Sequence, residues 1–282
     1  LRSVAEYDNF VVKYSNSGSV VWVKQIGGDG DSWSDRVVGV EVDSSGNVYV
    51  AVNFNGSITI DTQTLTANGR YQSDILIAKF DAAGNLLWAK QLGGSNADDV
   101  DSLAIDNSGN IYLVGSFWYV TAFDGLNLTS EDDVDIFLAK FTTDGNLSWL
   151  KGVGGPDTED PASPSSKIVV DRVGGNIYHV GTFINSITVD NLTLTSTGSW
   201  DAFIVKYDTS GNALWARQAG GSDLDYGRAV SLVDSGDIYV AGTYFGSANF
   251  GDFTLSNGLS DIFLAKYTTQ GSVEWVKKVT ET

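Results

Sequence analysis

The sequence predicts an all-β protein in which one four-stranded antiparallel sheet is written several times over. Three observations carry that reading. A short apolar phrase recurs five times, at 10–14 (FVVKY), 75–80 (ILIAKF), 136–141 (IFLAKF), 202–207 (AFIVKY) and 262–267 (IFLAKY). Each copy leads through a glycine turn to a tryptophan, at Trp22, Trp88, Trp149, Trp215 and Trp275, so the period is 60 to 66 residues. No stretch shows the periodicity of an amphipathic helix. A period of this length marks a supersecondary unit stacked on copies of itself.

The recurring phrase is strand C. Its β-branched and aromatic residues argue a buried strand. An aspartate precedes every copy: Asp8, Asp74, Asp135, Asp201 and Asp261. The turn after it ends on Gly18, Gly84, Gly145, Gly211 or Gly271, where a positive φ suits a tight hairpin with a bulge. Strand D follows with its tryptophan, as in 86–90 (LLWAK) and 213–217 (ALWAR). Four D strands run into a glycine pair, Gly27-Gly28, Gly93-Gly94, Gly154-Gly155 and Gly220-Gly221, and an acidic loop comes after each. Strand A is next, as in 102–106 (SLAID) and 231–234 (SLVD). Strand B then reads 47–50 (NVYV), 110–113 (NIYL), 176–179 (NIYH) and 237–240 (DIYV). A variable hairpin of Thr, Asp and Leu joins B to the next C, as at 58–61 and 64–66.

One such sheet has two apolar faces and cannot hide both by itself. Setting the sheets radially about an axis covers both, so the expected fold is a β-propeller of four-stranded antiparallel blades. A β-solenoid is the alternative, but its coils are much shorter. Complete A-B-C-D blades are expected at 29–90, 91–151, 152–217 and 218–282, with an orphan C-D half blade at 1–28, all in a single domain over 1–282. Bare strand edges are adhesive, so the half blade is expected to self-associate or to take strands from a partner chain.

The phrases DIFLAKF…GNLSWLK and GG…DSLAIDNSGNIYLVGSF resemble the bacterial β-propeller repeat family SBBP. The resemblance runs from Asp8 to Lys277. It implies a propeller from a large secreted or surface protein, in a family without an assigned activity. The A-then-B order also resembles NHL propellers, which implies that strand A is innermost.

Composition narrows the function. The net charge is −18, and 29 of the 35 acidic residues are aspartate. Aspartate favours turns, because its short side chain bonds nearby backbone groups. A surface this negative opposes nucleic acid and anionic membrane. No apolar run is long enough to cross a bilayer, so no membrane insertion is expected. There is no cysteine and one histidine, which excludes a disulfide framework and an ordinary zinc site. No phosphate loop or dinucleotide fingerprint is present. Methionine is absent, including at position 1, so the chain is expected to be a processed product or an excerpt.

The acidic D-to-A loops are the first candidate site. They carry Asp29, Asp31 and Asp35; Asp98, Asp99 and Asp101; Asp157, Glu159 and Asp160; and Asp223 and Asp225. In a propeller these loops share one face, where carboxylates could hold calcium through oxygen ligands. Asp98, Asp99, Asp101, Asp223 and Asp225 are the expected ligands. No loop has the spaced Asp-x-Asp-x-Asp-Gly pattern, so aspartates that organise turns are the competing reading. Asp43, Asp106, Asp171 and Asp234 recur at the A-to-B turn and read as Asx-turn devices. Lys13, Lys79, Lys140, Lys206 and Lys266 recur in strand C and are expected to meet acids or lie over aromatic rings.

Trp33, Trp118 and Trp200 break the repeat. Trp33 and Trp118, with Asp31 and Asp35, are the expected contacts if the protein stacks sugar rings. The competing reading folds these tryptophans onto a blade. His179 stands where other repeats have Val50, Leu113 and Val240, and a Ser-His-Asp triad would have to use it. The function expected is therefore non-catalytic: a secreted or cell-surface scaffold, bacterial or archaeal, that shows acidic loops to a protein or glycan, with calcium as the candidate cofactor. Alternatives are a lectin-like propeller, a subunit of a surface polymer built by strand exchange, and a polysaccharide-active enzyme with paired carboxylates.

Overall fold

The computed structural model describes residues 8–28, 35–69, 72–155, 166–233 and 236–279. All regular structure among them is β-strand. The first C-D pair is β1 (Asn9–Tyr14) and β2 (Val20–Gly28). The next repeat supplies A and B as β3 (Arg36–Val42) and β4 (Val48–Phe54), then a small hairpin, β5 (Ser57–Ile60) and β6 (Gln63–Thr66). Its C and D are β7 (Asp74–Phe80) and β8 (Leu86–Leu92). In the following repeat the hairpin fuses with its neighbours, giving β9 (Asp98–Ile105), β10 (Ile111–Phe123), β11 (Leu126–Phe141) and β12 (Leu147–Val153). The hairpin is separate again in β13 (Lys167–Val170), β14 (Ile177–Phe183), β15 (Ser186–Val189), β16 (Leu192–Thr195), β17 (Asp201–Tyr207) and β18 (Ala213–Gly221). The last strands are β19 (Asp225–Leu232), β20 (Ile238–Phe250), β21 (Phe253–Tyr267) and β22 (Val273–Val279).

The chain divides into two compact units, residues 1–129 with 139–150, and residues 130–138 with 151–282. In the first, β3-β4-β7-β8 is the expected antiparallel meander in A-B-C-D order. In the second, β13-β14-β17-β18 repeats it, and β19, β20, β21 and β22 follow in the same order. The middle strands β4, β7 and β14 are buried along their whole length. A strand covered on both faces reads as a nearly continuous apolar run, which is why the C phrase showed so clearly in the sequence. Val50, Val52, Phe54, Leu76, Ala78 and Phe80 form one core; Val180, Ile204, Val240, Phe263 and Ala265 belong to another.

Two features depart from the sequence reading. Strand A begins earlier than expected, at Asp98 in β9 and Asp225 in β19, so these acids lie in strands and not in a loop. A bulge in each pairing, between Val114 and Gly115 and between Gly227 and Ala229, bends the strand enough for it to continue. The variable hairpin also does not merely link B to C. It pairs with strand D of the preceding repeat, Ile26 opposite Ile60 and Gly28 opposite Ile58 in one case, Gly220 opposite Asn249 and Gly221 opposite Ala248 in another. A single bridge, Gly154 to Thr188, repeats the arrangement.

Candidate functional site

The glycine pair and its acids form one recurring corner. The first glycine lies against the aspartate that precedes strand C. A Cβ there would come within 2.3 Å of Asp8 at Gly27, 2.8 Å of Asp74 at Gly93, 2.2 Å of Asp135 at Gly154 and 2.3 Å of Asp201 at Gly220. The second glycine lies under the hairpin of the next repeat, where a Cβ would meet Ser57 O at 1.6 Å from Gly28, Val120 O at 2.5 Å from Gly94 and Ser247 O at 1.8 Å from Gly221. Only glycine permits both approaches. The aspartate is held in turn. Asp74 Oδ2 accepts from Asn68 N at 3.1 Å and from Gln91 Nε2 at 2.6 Å, and Asp201 Oδ2 accepts from Thr197 N and Gln218 Nε2.

A second acid closes the corner at the start of strand A. Asp98 Oδ2 accepts from Gly94 N at 2.7 Å, and Asp225 Oδ2 accepts from Gly221 N at 2.8 Å. Asp225 Oδ1 and Asp35 Oδ1 also take the amides of Phe245 and Asn55, each at 3.3 Å. Burial drives these carboxyls upward. Asp98 is pushed up to about 7, with the charges of Asp74 and Asp99 adding to the effect, and Asp225 to about 6, with Asp201 and Asp223 adding. Asp74, Asp99 and Asp201 are raised for the same first reason. The corner can therefore keep a proton near neutral pH. Of the other expected ligands, Asp101 is buried and Asp223 is exposed beside Ser222. Among the described residues no three His, Asp or Glu side chains converge as metal ligands would. Asp29, Asp31, Trp33, Asp157, Glu159, Asp160 and Asp234 lie outside the described residues.

The other repeating side chains are spent on the fold. Asp43 Oδ1 takes the amides of Ser45 and Asn47, each at 2.9 Å, and Asp106 does the same for Ser108 and Asn110. Burial raises the Asp43 carboxyl, but its hydrogen bonds to Asn47, Tyr49 and Ser45 outweigh that and leave it lowered. The C-strand lysines lie over the B-strand tyrosines, Lys79 over Tyr49 at 4.9 Å, Lys140 over Tyr112 at 5.2 Å and Lys206 over Tyr178 at 5.4 Å. The repeated tryptophans reach forward: Trp22 Nε1 donates to Ala82 O, Trp88 Nε1 to Thr143 O and Trp215 Nε1 to Thr269 O. Each indole covers the turn glycine of the next repeat, Gly84, Gly145 and Gly271. Lysines of strand D reach forward as well, Lys24 to Asp61, Lys90 to Asp124 and Lys151 to Asp190, at 2.8, 3.1 and 2.9 Å.

One corner breaks the pattern. The residue that turns the chain out of strand B has a positive φ in four repeats: Gly56 (63°), Tyr119 (56°), Asn185 (56°) and Gly246 (60°). Glycine and asparagine tolerate this conformation; a bulky side chain does not. Tyr119 is half exposed, and its ring centroid lies 6.5 Å from that of the partly buried Trp118. Trp118, named as a glycan contact from the sequence, is partly buried, and its ring neighbour is Tyr119, which the sequence reading did not name. Aligning positions 56, 119, 185 and 246 would have exposed it.

Two further sites lie in the second unit. His179 is sealed in the core, with Nε2 3.1 Å from Ser166 Oγ and its ring edge-on to Phe203. Burial lowers its pKa to about 3, so it stays neutral. A groove of about 670 Å³ in the second unit lies beside Val169, Asp171, Lys206, Leu232 and Thr269. Lys206 donates there to Thr269 O at 3.1 Å, and burial lowers its pKa against the pull of Asp171.

Residues 87–116, which run from strand D through one glycine corner to strands A and B, match the family described as a beta-propeller repeat, SBBP. Two curated proteins are similar over most of this chain's length. Regulatory protein FlaEY of Caulobacter vibrioides is 24% identical over 242 residues, covering 83% of this chain and 24% of FlaEY. The uncharacterized WD repeat-containing protein L264 of Acanthamoeba polyphaga mimivirus is 24% identical over 338 aligned positions, covering 96% of this chain and 24% of L264. The chain thus spans about a quarter of the length of both relatives. Among solved structures, a Bacteroides caccae protein of unknown function matches with a TM-score of 0.40 and 10% identity, covering 96% of this chain and 94% of that one.

Proposed function

We propose that this chain is a β-propeller scaffold that binds and does not catalyse, displayed on a bacterial or archaeal surface or secreted. In this reading the sheets are blades, complete at 29–90, 91–151, 152–217 and 218–282, with a half blade at 1–28. The repeating acids, lysines and tryptophans serve the fold, so contact falls to the positions that depart from the repeat. The observation that carries the proposal is the Trp118-Tyr119 corner. A left-handed backbone costs a bulky residue about 1–2 kcal/mol, and such strain collects at functional positions. A half-exposed phenol beside a partly buried indole suits the apolar face of a sugar, with the tyrosine hydroxyl as a polar handle.

An array of immobilised bacterial oligosaccharides tests this directly. The intact chain is expected to retain a subset of them, and Trp118→Ala and Tyr119→Gly are each expected to weaken retention by about tenfold. Retention that is absent, or equal in all three proteins, removes the glycan reading. Calcium titrated calorimetrically into the same protein decides the acidic-loop proposal: saturable heat supports it, and none ends it.

A further inference from the structure

The A-to-B turns are not all alike. Asp43 and Asp106 each open a five-residue turn, closed by a bond from the aspartate's N to Asn47 O or Asn110 O. Within it both carboxylate oxygens are used. Asp43 Oδ1 takes the amides of Ser45 and Asn47, and Oδ2 takes Asn47 Nδ2 at 2.8 Å and Tyr49 OH at 3.1 Å. Asp106 repeats all four bonds with Ser108, Asn110 and Tyr112. The turn at Asp171 closes on Asn176 O, so it is one residue longer. The added residue undoes the arrangement. Asp171 Oδ1 keeps the Val173 amide at 3.0 Å, but among the described residues its Oδ2, the Asn176 side chain and the Tyr178 hydroxyl make no hydrogen bond. Tyr178 and Lys206 both sense the charge of Asp171 without bonding it.

These four groups line the groove of about 670 Å³, a volume that takes a small molecule. In the first unit the matching groups are bonded to one another: Lys79 Nζ donates to Thr143 O and Thr143 Oγ1, and Tyr49 OH lies 3.1 Å from the same Oγ1. Lys206 Nζ donates to Thr269 O alone. The next turn departs as well. Val233 N donates to Asp237 O, the bond that marks the first turn residue, so Val233 stands where Asp43 and Asp106 stand. With Leu232 it lines the groove with carbon. We infer that this groove binds one ring of a neutral saccharide. Asp171 Oδ2 accepts from a ring hydroxyl, Asn176 and Lys206 donate to its neighbours, and a C–H face rests on Leu232 and Val233. A hydroxyl both donates and accepts, so a polyol satisfies a groove that mixes carboxylate, amide, phenol and ammonium. A simple anion would face Asp171, and a simple cation would face Lys206. The site is separate from the Trp118-Tyr119 corner and does not rest on it.

The probes are the methyl α-glycosides of glucose, galactose and mannose, titrated into the intact chain and followed by amide NMR. At least one is expected to shift residues 171–178 saturably, with a Kd of about 1 mM, as befits a ligand of this size. Deleting Val173, which is 92% exposed, restores the five-residue turn. That variant is expected to keep or raise its thermal midpoint and to bind about tenfold more weakly or worse, as Asp171 recaptures Asn176 and Tyr178. Asp171→Asn, which keeps the turn length, is expected to weaken binding by about tenfold. The inference is overturned if none of the glycosides binds, or if either variant binds as tightly as the parent. It is overturned too if leucine, a zwitterion, shifts these residues and the glycosides do not. Trp118→Ala is expected to leave the shifts unchanged; their loss would place the sugar elsewhere and overturn the inference. Binding this weak is washed from an immobilised array, so this reading and that of the Trp118-Tyr119 corner stand or fall separately.

Discussion

Tyr119 holds a φ of 56° where neighbouring repeats use glycine or asparagine, so its side chain works against the backbone. Tyr119→Gly is expected to raise stability by about 1 kcal/mol in urea unfolding, while weakening ligand retention. A loss of stability would mean that the ring is a packing element and nothing more. The buried acids give a second test, through pH. Asp98 has its pKa raised to about 7 by burial, so its contribution is complete below its unfolded pKa and is lost as pH rises through 7. Asp225 behaves alike through about 6. His179 opposes them: burial lowers it to about 3, so its contribution holds above the unfolded value and is lost as pH falls toward 3. The thermal midpoint is expected to rise as pH drops from about 8 to about 4, where the acids gain more than His179 loses, and to turn down only below that. Asp98→Asn should keep an acceptor for Gly94 N, raise the midpoint at about pH 8 and flatten the alkaline limb. A lower midpoint for this variant at that pH would show a charged, well-solvated carboxylate.

The glycine corner was visible in the sequence, but its purpose was not. The strands, the turn aspartates and the tyrosine-lysine stacking were legible because they rest on local pattern or on residues repeated in register. The corner depends on partners far along the chain. Gly28 makes room for Ser57 and Gly221 for Ser247, and nothing near either glycine announces it. The acids at Asp98 and Asp225 were misplaced into loops for the same reason: aspartate disfavours strands in isolation, and here backbone amides of the corner offset that preference. Gly28→Ala and Gly221→Ala are expected to lose about 2–4 kcal/mol, since backbone must move to admit the methyl. Gly18→Ala meets open space and only a positive φ of 81°, so it should lose about 1 kcal/mol. Equal losses in urea titrations would remove the close-approach explanation.

Successive repeats are joined by three devices: the indole over the next turn glycine, the D-strand lysine to the hairpin-tip aspartate, and the glycine pair beneath the hairpin. The ion pairs are partly exposed and weigh little, about 0.5 kcal/mol each. Close packing of indole and backbone carries more. Within each compact unit, neighbouring repeats linked in this way stabilise one another. The central claim is that strand D of one repeat pairs with the hairpin of the next. Ile26 and Ile60 are directly opposed across β2 and β5, and opposed residues in antiparallel strands lie within disulfide reach. The chain has no native cysteine, so the variant Ile26→Cys with Ile60→Cys reports on that pairing alone. Mild oxidation followed by peptide mapping is expected to find an intramolecular 26–60 disulfide in nearly every molecule. Free thiols, or cross-links only between molecules, would contradict the account.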